Sequence, residues 1–301
     1  MAFAIQAPAK RVLCKACAGY EQAQVDAAVE AVFAFCPNAG RLGPHSRVLL
    51  KPNLLAKHPP ERAVTTHPAV VAACIRACVQ RGVLPQNITV ADSPGGAWTP
   101  GGMRAIYAQS GMAAVCEETG AALYLGCKAG VRKTQGERVH SFELMQPVLD
   151  ADFIIDIPKV KTHVMVGMTC AVKNLFGTVP GLSKAEFHMR FPAPEDFGGM
   201  LVDLCEAVRP DMVVADGRIL ENYSLKVNES SLTGESEGVD KTAEAIDADQ
   251  VALGDQKNMV FSGSLVTYGR ATVLVTGTGM DTELGKIAAL MNQTQQRKTP
   301  L

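Results

Sequence analysis

RVLLK (residues 47–51), followed by Pro52-Asn53-Leu54-Leu55, is the stretch whose reading decides the fold. Val48 to Leu50 are apolar without alternation, and Pro52 ends the run because it has no N–H for a ladder. A short continuous apolar run of this kind reads as a strand buried on both faces. The same pattern recurs at 11–16 (RVLCKA), 87–92 (NITVAD), 122–125 (ALYL), 152–157 (DFIIDI) and 211–215 (DMVVA), bounded by Gly, Pro, Asn or Asp. Between the first two runs, Val25, Ala28, Val29, Val32, Phe33 and Cys36 fall at helical spacing. A second helix is expected from Thr66-His67-Pro68, where the threonine can cap and the proline suits the first turn, to Arg81-Gly82. A third is expected over Gly102 to Thr119. Strands alternating with helices predict an α/β fold: an open, mainly parallel sheet with helices on both faces and ligands at the carboxyl ends of the strands.

The residues at those strand ends carry the chemistry. Lys51 and Asn53 follow the run at 47–51, and Asp92-Ser93-Pro94-Gly95-Gly96 follows 87–92. Lys159, Lys161 and His163 follow 152–157, and Lys173-Asn174 and Lys184 to His188 come later. Ammonium groups and backbone N–H donors gathered at Gly- and Pro-rich turns suit a small phosphate or carboxylate ligand. Lys51, Asn53, Asp92, Lys159, Lys161, Lys173, Asn174, Lys184 and His188 are therefore the candidate ligand-binding residues, and His163 is a candidate acid–base group. Two alternatives stay open: lysines at exposed strand ends that are simply solvated, and histidines that are ordinary hydrogen-bonded residues. The phosphate-loop GxxxxGK[ST], GxGxxG and GxSxG patterns are absent.

Composition bounds what such a site can bind. Twenty-nine Lys and Arg against 30 Asp and Glu leave a net charge of −1, so no global field draws nucleic acid or an anionic membrane surface, and anion recognition must be local. With 47% hydrophobic residues, 301 residues suit about two globular domains. The apolar stretch around Val70 to Cys78 is interrupted by Arg76, well short of the roughly 18 residues a membrane span needs. Nine irregularly spaced cysteines and no leader pattern point to a cytoplasmic protein. The lone pair Cys14 and Cys17 and the helical pair Cys74 and Cys78 read as packing residues, and no metal site is assigned. The last 96 residues hold no cysteine, and all six histidines lie at or before His188, so the two ends of the chain differ in character.

VLLKPNLL (48–55), TTHP (65–68), ADSPGG (91–96), IIDIPKVKTH (154–163), MTCAVKNLFGTVPG (168–181) and KAEFH (184–188) occur in the order in which this chain resembles the family of domain of unknown function 362, over about 217 residues. The resemblance implies an α/β domain of undefined chemistry, often joined to a ferredoxin-like segment with four-iron clusters. That cysteine-rich segment is missing from this sequence, so the cofactor is unknown and an iron–sulfur cluster is not expected.

From Asp216 the chain turns Thr-, Gly- and Ser-rich. Asn258 to Leu265 and Ala271 to Gly277 read as a β-hairpin turning through Thr267-Tyr268-Gly269-Arg270, and a helix is expected from Asp281-Thr282-Glu283 to Arg297-Lys298-Thr299-Pro300. Thr233-Gly234-Glu235-Ser236, with the residues around it, resembles the actuator domain of P-type cation-transporting ATPases of the calcium-pump type over about 84 residues. The resemblance implies that Glu235 is the catalytic glutamate that positions water against an aspartyl-phosphate on another domain. The acceptor's DKTGT motif is matched only in part by Asp240-Lys241-Thr242-Ala243, which lacks the glycine.

The expected domains are therefore residues 1–215 and a partial actuator-like segment, 216–301, with Ala215-Asp216-Gly217 compatible with both families. Such an arrangement reads as a chimera of two truncated parents that retains a lysine-rich site for a small anionic ligand, with no nucleic-acid or membrane partner. The alternatives are a calcium-type pump fragment, inactive as an isolated pump, and a non-enzymatic chimera with no integrated function. Whether the chain is an enzyme stays open.

Overall fold

The computed structural model describes residues 13, 15, 17, 19–96, 98–163, 165–216, 223–229, 238–241, 252, 255–257, 260–261 and 264–270. It divides into two compact units, Met1–Gly217 and Arg218–Leu301.

In the first unit, helix α1 (Gln22–Phe35) precedes strand β1 (Val48–Pro52), and α2 (Pro68–Gln80) leads to β2 (Ile88–Val90). Helices α3 (Pro100–Gln109) and α4 (Met112–Thr119) then precede β3 (Ala122–Leu123). A hairpin of β4 (Ala129–Lys133) and β5 (Ser141–Met145) continues into the short helix α5 (Gln146–Asp150) and β6 (Phe153–Ile157). Next come a second hairpin, β7 (Lys161–His163) and β8 (Gly167–Thr169), then helices α6 (Ala171–Asn174), α7 (Ser183–Arg190) and α8 (Pro194–Val208), and finally β9 (Met212–Val213).

Five strands form one parallel sheet in the order β3-β2-β1-β6-β9. Its alternation sets two cores. Val48, Leu50, Phe153, Ile155 and Ile157 pack into the layer with α1 to α4, whereas Leu49 and Ile154 face the layer containing α8 and β5. Both sides of the sheet are thus covered, which is why the strands read as unbroken apolar runs. The chain leaves β1 toward β2 and β3, then returns to the other side of β1 through β6. The β1/β6 boundary is therefore a topological switch point, the place where open α/β sheets leave a crevice at their carboxyl edge.

Three local expectations need correction. The helix expected over 102–119 is broken at Ser110-Gly111, where Gly111 adopts φ +79° and a Cβ would approach Pro68 to 3.0 Å. Helix α2 is capped by His67, whose Nδ1 accepts from the Ala69 N–H at 3.2 Å. Thr66 is occupied elsewhere: its hydroxyl accepts from Asn53 N–H (2.8 Å) and donates to Ile157 C=O (2.6 Å), tying the ends of β1 and β6 together. Of the strand expected at 11–16, Leu13 and Lys15 carry no strand, and Arg11, Val12, Cys14 and Ala16 lie outside the described residues.

In the second unit, β10 (Tyr223–Asn228), β11 (Gly238–Asp240) and β12 (Leu265–Arg270) form an antiparallel sheet in the order β11-β10-β12. Thr267 to Arg270 are thus strand, not turn. Thr267 and Tyr268 favour extended backbone, and Gly269 lies opposite an irregularity in register between Tyr223 and Lys226. Lys241 Nζ and Glu229 Oε1 form a buried ion pair of 2.5 Å. Thr233, Gly234, Glu235, Ser236 and the helix expected at 281–300 lie outside the described residues.

Candidate functional site

β1 and β6 deliver their last residues to the same edge of the sheet, with Lys51 in register with Asp156. Both side chains project to the face of Leu49 and Ile154, where no apolar neighbour can satisfy them, so a polar network has to. Lys51 Nζ, fully buried, pairs with Asp92 Oδ1 at 2.8 Å and donates to the Pro52 carbonyl at 2.7 Å. Asp92 also accepts from the N–H groups of Leu54 (2.8 Å) and Ser93 (2.9 Å), which fixes the turn after β2 against the turn after β1. The short 3-10 turn Leu175–Thr178 lies directly on this pair: Ser93 N–H also donates to the Gly177 carbonyl (2.8 Å), and a Cβ on Gly177 would overlap Asp92 and Lys51.

Asn174, at the end of α6, is the hub. Its Nδ2 donates to the Lys51 carbonyl (3.1 Å) and to Asp156 Oδ1 (2.7 Å), and its Oδ1 accepts from Asn53 Nδ2 (3.0 Å) and, more weakly, from Lys51 Nζ (3.4 Å). Asn53 Oδ1 in turn accepts from Lys161 Nζ at 2.7 Å, and Lys161 also donates to the Val64 carbonyl. Asp156 Oδ2 has no hydrogen-bond partner, and burial pushes this carboxyl up to about 7 despite the opposing charge of Lys51.

Five lysines reach this edge, and only two have a carboxylate. Lys51 pairs with Asp92; Lys159 pairs with Asp216 Oδ2 at 3.1 Å and donates to Tyr20 OH at 2.8 Å. Among the described residues, Lys161, Lys173 and Lys184 form no ion pair. Lys184 reaches the Ser93 and Pro94 carbonyls. Lys173 lies over the rings of Phe176 (4.8 Å) and Phe197 (5.8 Å). Burial, reinforced by the neighbouring ammonium groups, lowers Lys161 and Lys173 to about 8 and Lys184 to about 7. Burial and the charge of Lys173 likewise lower His163 and His188. His163 Nδ1 accepts from Met165 N–H at 3.2 Å, and His188 stacks on Phe197 at 4.7 Å.

The sequence candidates therefore fall into two groups. Lys51, Asn53, Asp92, Asn174 and Lys161 share one hydrogen-bonded network, with Lys173, Lys184, His163 and His188 acting on it or on one another through their charges. Lys159 belongs to an adjoining cluster. There Asp216 accepts from Tyr20 OH (2.7 Å) and His67 N–H (2.7 Å), and the Tyr20 and His67 rings stack at 3.7 Å. Sequence reasoning missed Asp156, Tyr20, Thr66 and His67. Asp156 had a legible signal, a lone carboxylate inside an otherwise apolar strand.

Among the described residues no three His, Cys, Asp or Glu side chains converge as metal ligands. Cys74 and Cys78 are packed inside α2, where burial raises Cys74 well above the usual thiol range and Cys78 to about 12. No helix among the described residues is long and apolar enough to cross a membrane.

A doubly covered parallel sheet with lysines gathered at its switch point defines the class: an open α/β protein. Residues 48–232 match the model described as Domain of unknown function (DUF362), and the chain belongs to that family. Residues 203–292 match the P-type ATPase actuator domain, so the two matches overlap at 203–232. The chain is 35% identical over 175 residues to the thylakoid-associated protein sll1697 of Synechocystis, covering 58% of this chain and 52% of that protein. It is 50% identical over 119 residues to the calcium-transporting ATPase lmo0841 of Listeria monocytogenes, covering 40% of this chain and 13% of that one. Calcium-transporting ATPase 1 of Lactococcus lactis is 50% identical over 110 residues, 36% of this chain and 12% of the pump. The chain thus spans about half the length of one of these relatives and about an eighth of the other two.

Proposed function

We propose that the first unit binds a small anion, a phosphate or carboxylate, at the carboxyl edge of β1, β2 and β6. The observation that carries this reading is the set of three ammonium groups, Lys161, Lys173 and Lys184, brought to the switch-point edge, none of them in an ion pair among the described residues and all sharing the one Asp92 carboxylate that already pairs with Lys51. Their lowered proton affinity is the strain a bound anion relieves. Inorganic phosphate or a phosphate ester at about 100 times its Kd should add about 2.7 kcal/mol of stability, a rise in Tm of roughly 5–10 °C. Lys161→Ala and Lys173→Ala should each remove the shift. Because the anion favours the protonated lysines, affinity should fall as pH rises through about 8. No shift across a panel of anions would refute the reading.

A second reading is favoured by the 50% identity to calcium-transporting ATPases. Within a whole pump, Glu235 would position the water that cleaves an aspartyl-phosphate. The 301 residues hold no DKTGT acceptor motif, so this chain is expected to show no calcium-dependent ATP hydrolysis. Turnover abolished by Glu235→Gln would overturn that expectation. We also propose that the two parts descend from separate parents joined within 203–232; one DNA molecule read across the codons for 210–225 tests the join.

A further inference from the structure

The five lysines at the carboxyl edge differ in what holds their nitrogen. Lys51 is fixed by Asp92 and the Pro52 carbonyl, and Lys159 by Asp216 and Tyr20. Lys161 is held by Asn53 and the Val64 carbonyl, and Lys184 by the Ser93 and Pro94 carbonyls. Among the described residues Lys173 is the one of the five held by no oxygen: its Nζ rests on the faces of Phe176 and Phe197, whose cation–π attraction holds an ammonium more weakly than a hydrogen bond to oxygen does. A nitrogen without an acceptor loses no hydrogen bond when it gives up its proton and presents its lone pair. His188, stacked on Phe197 and set edge-on to Phe176 at 5.5 Å, lies against the same two rings and supplies a proton acceptor.

We propose that Lys173 is a nucleophilic lysine that captures the carbonyl carbon of a small anionic aldehyde or ketone as an imine. The assignment rests on the anion-binding reading and narrows its ligand class to carbonyl-bearing carboxylates or phosphates, whose charged end Lys161 and Lys184 would hold. In the step, the neutral amine of Lys173 adds to the carbonyl carbon and forms the C–N bond, while the C=O π pair moves to oxygen. That oxygen takes up the proton lost by nitrogen. A base then passes the second amine proton to the hydroxyl, the C–O bond breaks as water leaves, and the C=N bond closes. No redox partner is required.

Burial and the charge of Lys51 make the amine available. With its affinity lowered to about 8, about a quarter of Lys173 is unprotonated at pH 7.5, against roughly one part in a thousand for an ordinary lysine. The test is reductive trapping of the full chain with glyoxylate and cyanoborohydride at pH 7.5, with peptide mapping by mass spectrometry. The hydride converts the imine to a carboxymethyl amine, and label is expected on Lys173 about tenfold or more faster than on the exposed Lys57, Lys128 and Lys133. Inorganic phosphate should slow it, and Lys173→Arg, checked for native circular dichroism, should abolish label at that position. Even labelling of all lysines, or preferential labelling of Lys161 or Lys184, overturns the proposal. Phosphate stabilisation without glyoxylate trapping refutes the nucleophile and leaves the anion site standing, whereas the absence of both refutes the two together.

Discussion

Asp156 shows how burial resets the acid–base behaviour of a single residue at this edge. Its carboxyl is fully buried, one oxygen is held by Asn174, and the other has no partner. Desolvation outweighs the attraction of Lys51, so the folded protein keeps this proton until about pH 7, whereas an unfolded chain releases it near pH 4. Between those values the folded state binds more protons than the unfolded one. Stability from this group is therefore complete below about pH 4 and declines as pH rises through about 7, by about 4 kcal/mol. Asp156→Asn should remove that decline, so that urea denaturation at pH 5 and pH 8 gives the variant a smaller difference than the wild type. An identical difference in both proteins would show that Asp156 is ionised in the fold. DFIIDI shows a lone carboxylate inside an apolar strand but not its protonation, because the carboxyl's environment is set by register with Lys51 and by Asn174, neither of which is local.

At the scale of elements, one carboxylate ties the loop of the hairpin β4–β5 to α8. Asp203, buried on α8, accepts from the N–H groups of Glu137 (3.0 Å), Arg138 (2.8 Å) and Val139 (2.9 Å), closing the loop between the strands, while Arg132 of β4 donates to the Ala207 carbonyl of α8 (3.0 Å). Asp203→Ala would leave these donors without an acceptor and should lower stability by about 2–4 kcal/mol, with new proteolytic cleavage within 134–140. Asp203→Asn keeps one acceptor oxygen and should lose less; equal losses in both variants would mean that packing, not the N–H cluster, holds the hairpin. The sheet itself was legible, since buried parallel strands show unbroken apolar runs such as Val48 to Leu50 and Phe153 to Ile155. Elements decided by tertiary contact were not. The break at Gly111 is imposed by Pro68 on another helix, and β12 runs through Gly269 because β10 lies beside it.

For the whole molecule, Asp216 decides where the first unit ends. Its carboxylate bonds Tyr20, 196 residues earlier, and His67 N–H, 149 residues earlier, and it neutralises the buried Lys159. Its backbone also continues the sheet: Val160 N–H donates to Asp216 C=O at 3.0 Å, and Asp216 N–H donates to the Pro158 carbonyl at 2.8 Å. The local string ADG fits both families and so cannot reveal these distant partners, whereas Lys51 and Lys159 were visible because each stands at or just beyond the end of its own strand. The consequence is a sharp difference between two truncations. A chain ending at Gly217 retains every one of these bonds and should keep the anion-induced rise in Tm. A chain ending two residues earlier loses them all and leaves the Lys159 ammonium buried without its counter-charge, at about 3–5 kcal/mol. Asp216→Ala in the full chain removes the carboxylate but keeps the two backbone bonds, and should reproduce the part of that loss due to the unpaired Lys159 without altering the chain's length. Guanidinium denaturation of the four proteins decides it: if both truncated chains unfold at the same midpoint, Asp216 is not the residue that closes the first unit.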